Sequence, residues 1–464
     1  MLFQTQGYVL VFLPLVAAFY YLSARSLKLR QYVLIAASLV FYAWWDVRFL
    51  VLPLAQIAAT WVLSQAHGRT GRAGFLHAAV LLNLASLGTF KYLDFLLDNL
   101  GAATGISFPR MDIVLPIGIS FFSFQLISYV IDRMRGEAPL YSFRPFALFI
   151  LLYPHLIAGP IVRHHELIPQ FALDPLRDGL SGRIARGLAI FTMGFAKKVL
   201  LADALAPVVD GLFNDAKLHA LDLGQAWTAT LAFAFQIFLD FSAYTEMAIG
   251  TALIFGLILP ENFRRPYLAD SITEFWRRWH ITLSNFIRDY LFVPLATSRA
   301  GVLRYLPRTR PRALAAIVVS MGLCGLWHGA AWTYVAWGLW QGAGLVACGM
   351  WQRLGRPLPY AAGWALTMLF VLASFALFRA DSFPVAGSIL ASLGGLRGLG
   401  GGIAHGQLLA VAAVASVALP SAHELNDKFL KPRPAVFAGL GLLAAYCILE
   451  AGKGTPLNFI YYQF

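Results

Sequence analysis

Apolar runs about 20 residues long, separated by short basic loops, follow one another through almost the whole of this chain. That pattern leaves few folds open to it. A membrane-spanning helix needs about 20 mostly apolar residues, and windows of that length give about ten or eleven candidate spans or half-spans. The chain is 59% hydrophobic and 13% charged over 464 residues, with a mean hydropathy of +0.67. Soluble domains carry roughly 45–50% apolar and about 25% charged residues. The expectation is an all-α polytopic membrane protein of about ten or eleven transmembrane helices, with re-entrant or interfacial helices between them. The runs leave no room for a separate soluble domain, so residues 1–464 are read as one membrane domain.

The net charge of +13 does not point to nucleic acid. The basic residues sit in short loops between apolar runs, as the positive-inside rule predicts. A smaller share can draw in an anionic cytoplasmic substrate. Met1 to Gln6 carry no basic side chain, and the run Tyr8–Leu22 is followed by Arg25, Lys28 and Arg30. This reads as a first span with an outside N-terminus rather than a cleaved signal. Arg299 to Arg312 holds Arg299, Arg304, Arg308, Arg310 and Arg312 and no acid, which makes it the clearest cytoplasmic loop. Cys324, Cys348 and Cys447 have no paired or metal-binding spacing and read as buried small hydrophobes.

The first half reads as spans near Tyr8–Leu22, Tyr32–Ala43, Phe49–Leu63, Phe75–Leu97, Ile113–Ile131 and Phe143–Val162. Pro116 and Gly118 open one of these, and Gly159-Pro160 closes another. Such breakers are tolerated at membrane depth where other protein groups satisfy the freed backbone. Ile184–Leu205 and Trp227–Leu259 follow, then, further on, Ala361–Phe378, His405–Leu419 and Ala435–Leu449. Trp227–Leu259 carries Gln236, Asp240, Ser242, Tyr244, Thr245 and Glu246. Acids within an apolar run must face protein or water. Asp240 and Glu246 therefore either satisfy buried groups or line a polar cavity.

Ser271-Ile272-Thr273-Glu274 matches a capping box and predicts a helix start. Apolar residues then recur with helical spacing from Ile272 to Leu291. Glu274, Arg277, Arg278, Arg288 and Asp289 occupy the other face. The helix is too polar to span lipid alone, so it is expected at the interface or folded back into the protein. At about 100° per residue, His280 falls near Trp276, Leu283 and Ile287, at the apolar–polar boundary. A second histidine stands in Trp327-His328-Gly329, inside the apolar stretch Ala313–Gly349. A titratable group there costs about 2.5–3.5 kcal/mol on insertion scales and marks a functional site by default. A helix rising about 1.5 Å per residue carries His328 roughly 22 Å past Ala313, at or beyond the midplane of a layer about 30 Å thick. His280, beside its arginines, is expected nearer the cytoplasmic side.

No P-loop, H-E-x-x-H or serine-nucleophile elbow occurs. His164-His165-Glu166 is not read as a metal site, because adjacent side chains do not converge on one ion. A lone buried histidine suits acyl transfer. A thioester donor is already activated, so the enzyme need only deprotonate a hydroxyl and hold the geometry, and imidazole does this at neutral pH. The bland reading of His328 is a core histidine bonded across helices.

The run Ser271-Ile-Thr-Glu-Phe-Trp-Arg-Arg-Trp-His-Ile-Thr-Leu-Ser-Asn-Phe-Ile-Arg-Asp-Tyr-Leu-Phe-Val-Pro-Leu295 resembles the signature of the membrane-bound O-acyltransferase family. Gly325-Leu-Trp-His-Gly-Ala-Ala-Trp-Thr333, followed by Trp337-Gly338, resembles its second signature. The likeness is to the bacterial alginate O-acetyltransferase branch. Support comes from Phe41-Tyr-Ala-Trp-Trp45, Leu115-Pro-Ile-Gly-Ile-Ser120, Ile157-Ala-Gly-Pro-Ile161, Lys197-Lys-Val-Leu-Leu-Ala-Asp203, Asp240-Phe-Ser-Ala-Tyr244, Leu259-Pro-Glu-Asn-Phe263 and Phe459-Ile-Tyr-Tyr-Gln-Phe464.

The resemblance implies a multi-helix fold around a central funnel in a bacterial cytoplasmic (inner) membrane. It makes His328 the essential histidine and His280 a secondary catalytic or tunnel-lining one. Trp276, Arg277, Arg278, Asn285, Arg288, Asp289, Trp327 and Trp332 are the expected substrate-binding residues. No metal or bound cofactor is expected. Acetyl-CoA or an acetyl-carrier thioester is the expected co-substrate. Lipid, an extracytoplasmic SGNH-type acetyltransferase and an acyl carrier protein are the expected partners. Two departures stand out: Gln341 replaces a histidine common in relatives, and Glu246 replaces an aspartate. Two other functions fit parts of the pattern. One is D-alanyl transfer to teichoic acid. The other is a transporter, which would make Asp240 and Glu246 essential and the histidines dispensable.

Overall fold

The computed structural model describes residues 1–297, 310–424, 434–454 and 457–460. Among them every regular element is a helix. Six are long and apolar enough to cross a membrane: Val47–Thr70, Gly74–Thr104, Leu223–Ile254, Arg310–His328, Tyr360–Arg379 and Pro434–Ala451. Tyr8–Leu22, Phe383–Leu393 and Gly406–Ala418 are shorter apolar helices. The chain divides into two compact units. Arg299, Arg304 and Arg308 of the basic loop, and Tyr461 to Phe464 of the terminal motif, lie outside the described residues.

The first unit comprises Met1–Phe195, Tyr244–Pro260 and Lys428–Asn458. An aromatic cluster forms part of its core, with ring centroids 5.0 Å apart for Phe3 and Tyr8 and 5.1 Å for Phe41 and Tyr153. The Met1 ammonium donates to the Phe41 carbonyl at 2.8 Å. Ser26 caps helix Leu27–Ala43 by accepting from Leu29 N–H. Arg30 is buried in that helix and donates to the carbonyls of Ala24, Phe171 and Leu173. A charge buried this way must be fully hydrogen-bonded.

Two expected spans are corrected here. The stretch 143–162 is not one helix. It ends as Phe143–Leu151 and resumes only as the single turn Tyr153–Leu156. Pro154 has no N–H to donate to the Ile150 carbonyl four residues back, and its ring would clash with that carbonyl, so the first helix cannot run through it. The stretch 113–131 becomes helical only at Ile119, after Pro116 and Gly118.

The second unit comprises Ala196–Ala243, Glu261–Asp427 and Phe459–Phe464. The expected apolar stretch Ala313–Gly349 resolves into an antiparallel helical hairpin, Arg310–His328 and Trp332–Arg353. Its two helices meet at backbone distance. A Cβ on Gly325 would run into the Tyr334 carbonyl, and one on Gly338 into that of Met321. Small residues at such a crossing let van der Waals packing hold helices together in lipid, where burial of apolar surface drives nothing. Gly338→Leu is therefore expected to force the hairpin apart. Overpacking costs typically about 1–3 kcal/mol, read as a lower melting temperature in detergent and a lower membrane level; an unchanged melting temperature would contradict this packing.

A polar knot is buried in the same unit. Lys198 Nζ lies 2.7 Å from Asp203 Oδ1 and 2.7 Å from Asp240 Oδ1. Its ammonium stands 4.6 Å from the centre of the Phe459 ring, and Ile460 N–H donates to Asp240 Oδ2 at 2.6 Å. Asp240 thus satisfies buried groups, the first of the two roles open to it from sequence.

Candidate active site

His328 is the last residue of its helix, at the tip of the hairpin. The chain turns at once: Ala331 N–H donates to the Gly329 carbonyl at 2.9 Å. A side chain on Gly329 would collide with the Tyr334 ring, so the Trp-His-Gly sequence is the shape of this turn. The imidazole is buried. Aromatic rings stand around it with centroids at 4.8 Å for Trp327, 5.2 Å for Trp337 and 5.2 Å for Phe378. His328 opens on a cavity of about 10 Å³, room for about one water. Ile237, Phe275, Trp279, Trp337 and Gln341 are among its other lining residues. The Trp337 indole N–H is buried with no hydrogen-bond partner among the described residues, a donor available to a group entering this space.

His280 comes to the other side of Trp327 by a different route. The predicted N-cap is present, with Ser271 accepting from Glu274 N–H. The continuous helix is not. It breaks after Arg278 and restarts at Ile281, with His280 in the left-handed region at φ +42°. The helical-wheel position assigned to His280 is therefore corrected. A non-glycine residue there is strained and persists when its surroundings over-determine it. The segment Asn262–Arg264 does that. Arg264 N–H donates to the Arg278 carbonyl, and Ile281 N–H to the Asn262 carbonyl, both at 2.9 Å. The sequence carries no local sign of this, because the clamp comes from a turn 18 residues upstream.

The His280 ring is completely buried, 4.8 Å from Phe241 and 6.2 Å from Trp327 between centroids. Burial pushes its pKa well below the usual histidine value. Trp327 is thus a common neighbour of both histidines. Trp276 joins the cluster through Gln341: its indole N–H donates to Gln341 Oε1 at 3.2 Å, and Gln341 Nε2 donates to Ser374 Oγ at 2.9 Å. Gln341 therefore lines the His328 cavity while tying two helices and Trp276 together. Gln341→Leu is expected to strand the Trp276 N–H, while the Ser374 hydroxyl keeps its bond to the Val371 carbonyl. An unsatisfied buried polar group costs about 1–3 kcal/mol, so the melting temperature should fall; a rise would mean the bridge contributes nothing.

The remaining expected residues lie outside this buried group. Arg277 and Arg278 pair with Glu274 at 3.5 and 2.7 Å. Arg288 pairs with its neighbour Asp289 at 2.7 Å, and Asn285 is half-buried. Trp332 is 55% exposed. In the first unit the structure corrects the expectation that the adjacent His164 and His165 do not converge, because Asp132 from another helix brings them into one grouping. His164 Nε2 lies 3.2 Å from Asp132 Oδ2, and its Nδ1 3.0 Å from the Tyr141 hydroxyl. Asp132, His164 and His165 converge within 4.8 Å, with Arg135 Nη1 3.9 Å from the other Asp132 oxygen.

Comparison with known proteins shows the family of the chain. The model of the MBOAT, membrane-bound O-acyltransferase family matches residues 8–383. The probable alginate O-acetylase AlgI of Azotobacter vinelandii is 39% identical over 415 residues, 85% of this chain and 78% of its own length. The peptidoglycan O-acetyltransferase of Helicobacter pylori is 34% identical over 436 residues, 86% of this chain and 81% of its own. The teichoic acid D-alanyltransferase of Streptococcus thermophilus is 28% identical over 286 residues, 56% of this chain and 68% of its own. The chain belongs to the membrane-bound O-acyltransferase family. It is a multi-pass membrane acyltransferase, and the transporter alternative falls.

Proposed function

We propose that this protein takes acetyl from a cytoplasmic thioester, acetyl-CoA or an acetyl-carrier protein, and passes it across a bacterial inner membrane for O-acetylation of an extracytoplasmic polysaccharide. An SGNH-type partner completes the transfer. The observation that carries the reading is His328 at the hairpin tip, buried among Trp327, Trp337 and Phe378 and bordering the cavity. The relatives matched over most of the chain are named for O-acetyl transfer to alginate and peptidoglycan. The D-alanyltransferase likeness is weaker and covers little more than half of the chain.

In this mechanism His328 accepts the proton of the acceptor hydroxyl as its oxygen attacks the thioester carbonyl. A C–O bond forms, the C–S bond breaks, and the proton passes from the imidazole to the departing thiolate. We assign Trp337 N–H, which has no hydrogen-bond partner among the described residues, as donor to the developing oxyanion. His280, Trp276, Arg277, Arg278 and Asn285 form the donor side. Arginines suit donor phosphates or an acidic carrier through charge-assisted hydrogen bonds. The test is thioester turnover by purified protein with radiolabelled acetyl-CoA and then with acetyl-carrier protein, in the presence of the partner. Release of thiol that depends on His328 supports the reading. No turnover with either donor, or preference for a D-alanyl carrier, refutes it.

A further inference from the structure

His280 is held by one side chain in a way that defines its chemistry. Asn262 Oδ1 accepts from the Thr282 backbone N–H at 3.2 Å and lies 2.9 Å from the Thr282 hydroxyl. A backbone N–H can only donate, so the atom facing it is the amide oxygen and not the amide nitrogen. His280 Nδ1 lies 3.1 Å from that same oxygen. An acceptor-only atom requires a donor opposite, so Nδ1 carries the proton and Nε2 of the neutral ring carries the lone pair. Asn262 is completely buried, as is His280, so water does not compete for either.

We propose that Asn262 is a positioning residue for the acyl transfer, fixing His280 in the Nδ1–H tautomer so that Nε2 serves as the accepting nitrogen. This rests on the acyltransfer reading of the site. It makes His280 an acceptor for an N–H or O–H of the reactants. The other residues against the ring, Phe241, Phe263 and Trp327, are aromatic, and Thr282 bears a hydroxyl. None of these titrates near neutrality, and the Asn262 oxygen is what faces Nδ1 and sets the proton there. The left-handed backbone at His280 has the same cause, because Asn262 takes the N–H groups of both Ile281 and Thr282.

The experiment uses full-length protein in detergent. Nitrogen-15 spectra of histidine-labelled wild type, with His280→Ala identifying the His280 signals, report which ring nitrogen is protonated. Protonated Nδ1 is expected, and protonated Nε2 overturns the proposal. Asn262→Leu is expected to lower kcat on the order of a hundredfold while leaving KM within about twofold. Asn262→Asp keeps the acceptor and the turn, so it should fold even if the leucine variant does not. Its anionic oxygen stabilises the imidazolium and raises the His280 pKa. A neutral acceptor is lost as pH falls through its pKa, so the acid limb of the rate profile should move to higher pH by about one unit. A purely structural asparagine would leave that limb in place. If His280→Ala keeps full turnover, the catalytic reading of His280 fails, while the tautomer result still judges the role of Asn262.

Discussion

Replacing His328 with alanine is expected to abolish thioester turnover and to leave the amount of protein in the membrane unchanged. General-base catalysis by a placed imidazole contributes typically about 10²–10⁴-fold, and no other buried imidazole borders the cavity. The bland alternative, a core histidine that only packs, predicts a different pattern. His328 lies among Trp327, Trp337 and Phe378, so truncation also removes volume from a tight cluster. His328→Gln separates the two effects: it keeps most of the volume and some hydrogen bonding but cannot accept a proton. Loss of turnover in both variants, with the melting temperature of the glutamine form near wild type, identifies the base. Turnover retained by His328→Gln would remove His328 from the chemistry.

The class of fold was legible because the lipid environment simplifies the code. A run of about 20 apolar residues has few alternatives to a helix, and the bounds expected for Ala361–Phe378 and Ala435–Leu449 lie close to Tyr360–Arg379 and Pro434–Ala451. The failures came where a helix stops inside apolar sequence. Hydropathy runs on through Leu151–Tyr153 and through Gly329–Ala331, but the helices end there, at Pro154 and at a Gly329 where the Tyr334 ring leaves no room for a side chain. Both stops depend on short-range sterics that hydropathy does not register.

The site was legible in part. His328 announced itself as an expensive residue in an apolar run, and the aromatic signature supplied Trp327 and Trp276. Periodicity misplaced His280, since a 3.6-residue period predicts a continuous helix and has no means of showing a left-handed break. Asn262 and the Gln341 bridge were invisible as roles. Each acts across 18 and 65 residues of sequence, and an amide in a turn or in a helix reads the same whether or not a partner faces it.

The Lys198 knot leads to the second large effect. Asp240→Ala is expected to destabilise the protein by about 3–5 kcal/mol, the range for removing one partner of a buried ion pair. Asp240 does three things at once: it accepts from Ile460 N–H, neutralises Lys198, and shares that ammonium with Asp203. Removing it takes the more deeply buried of these two carboxylates from a buried cation and removes the acceptor of Ile460 N–H. A double variant makes the argument sharp. Replacing a whole buried pair with apolar groups is often neutral or stabilising, because the desolvation cost disappears with the charges. Lys198→Met combined with Asp240→Leu should therefore recover much of the stability lost by Asp240→Ala, although Ile460 N–H remains unpaired. Thermal melts in detergent, with thioester turnover measured alongside, decide the matter. An Asp240→Ala protein that melts like wild type but has lost turnover would mean that this carboxylate acts in the reaction and not in the fold.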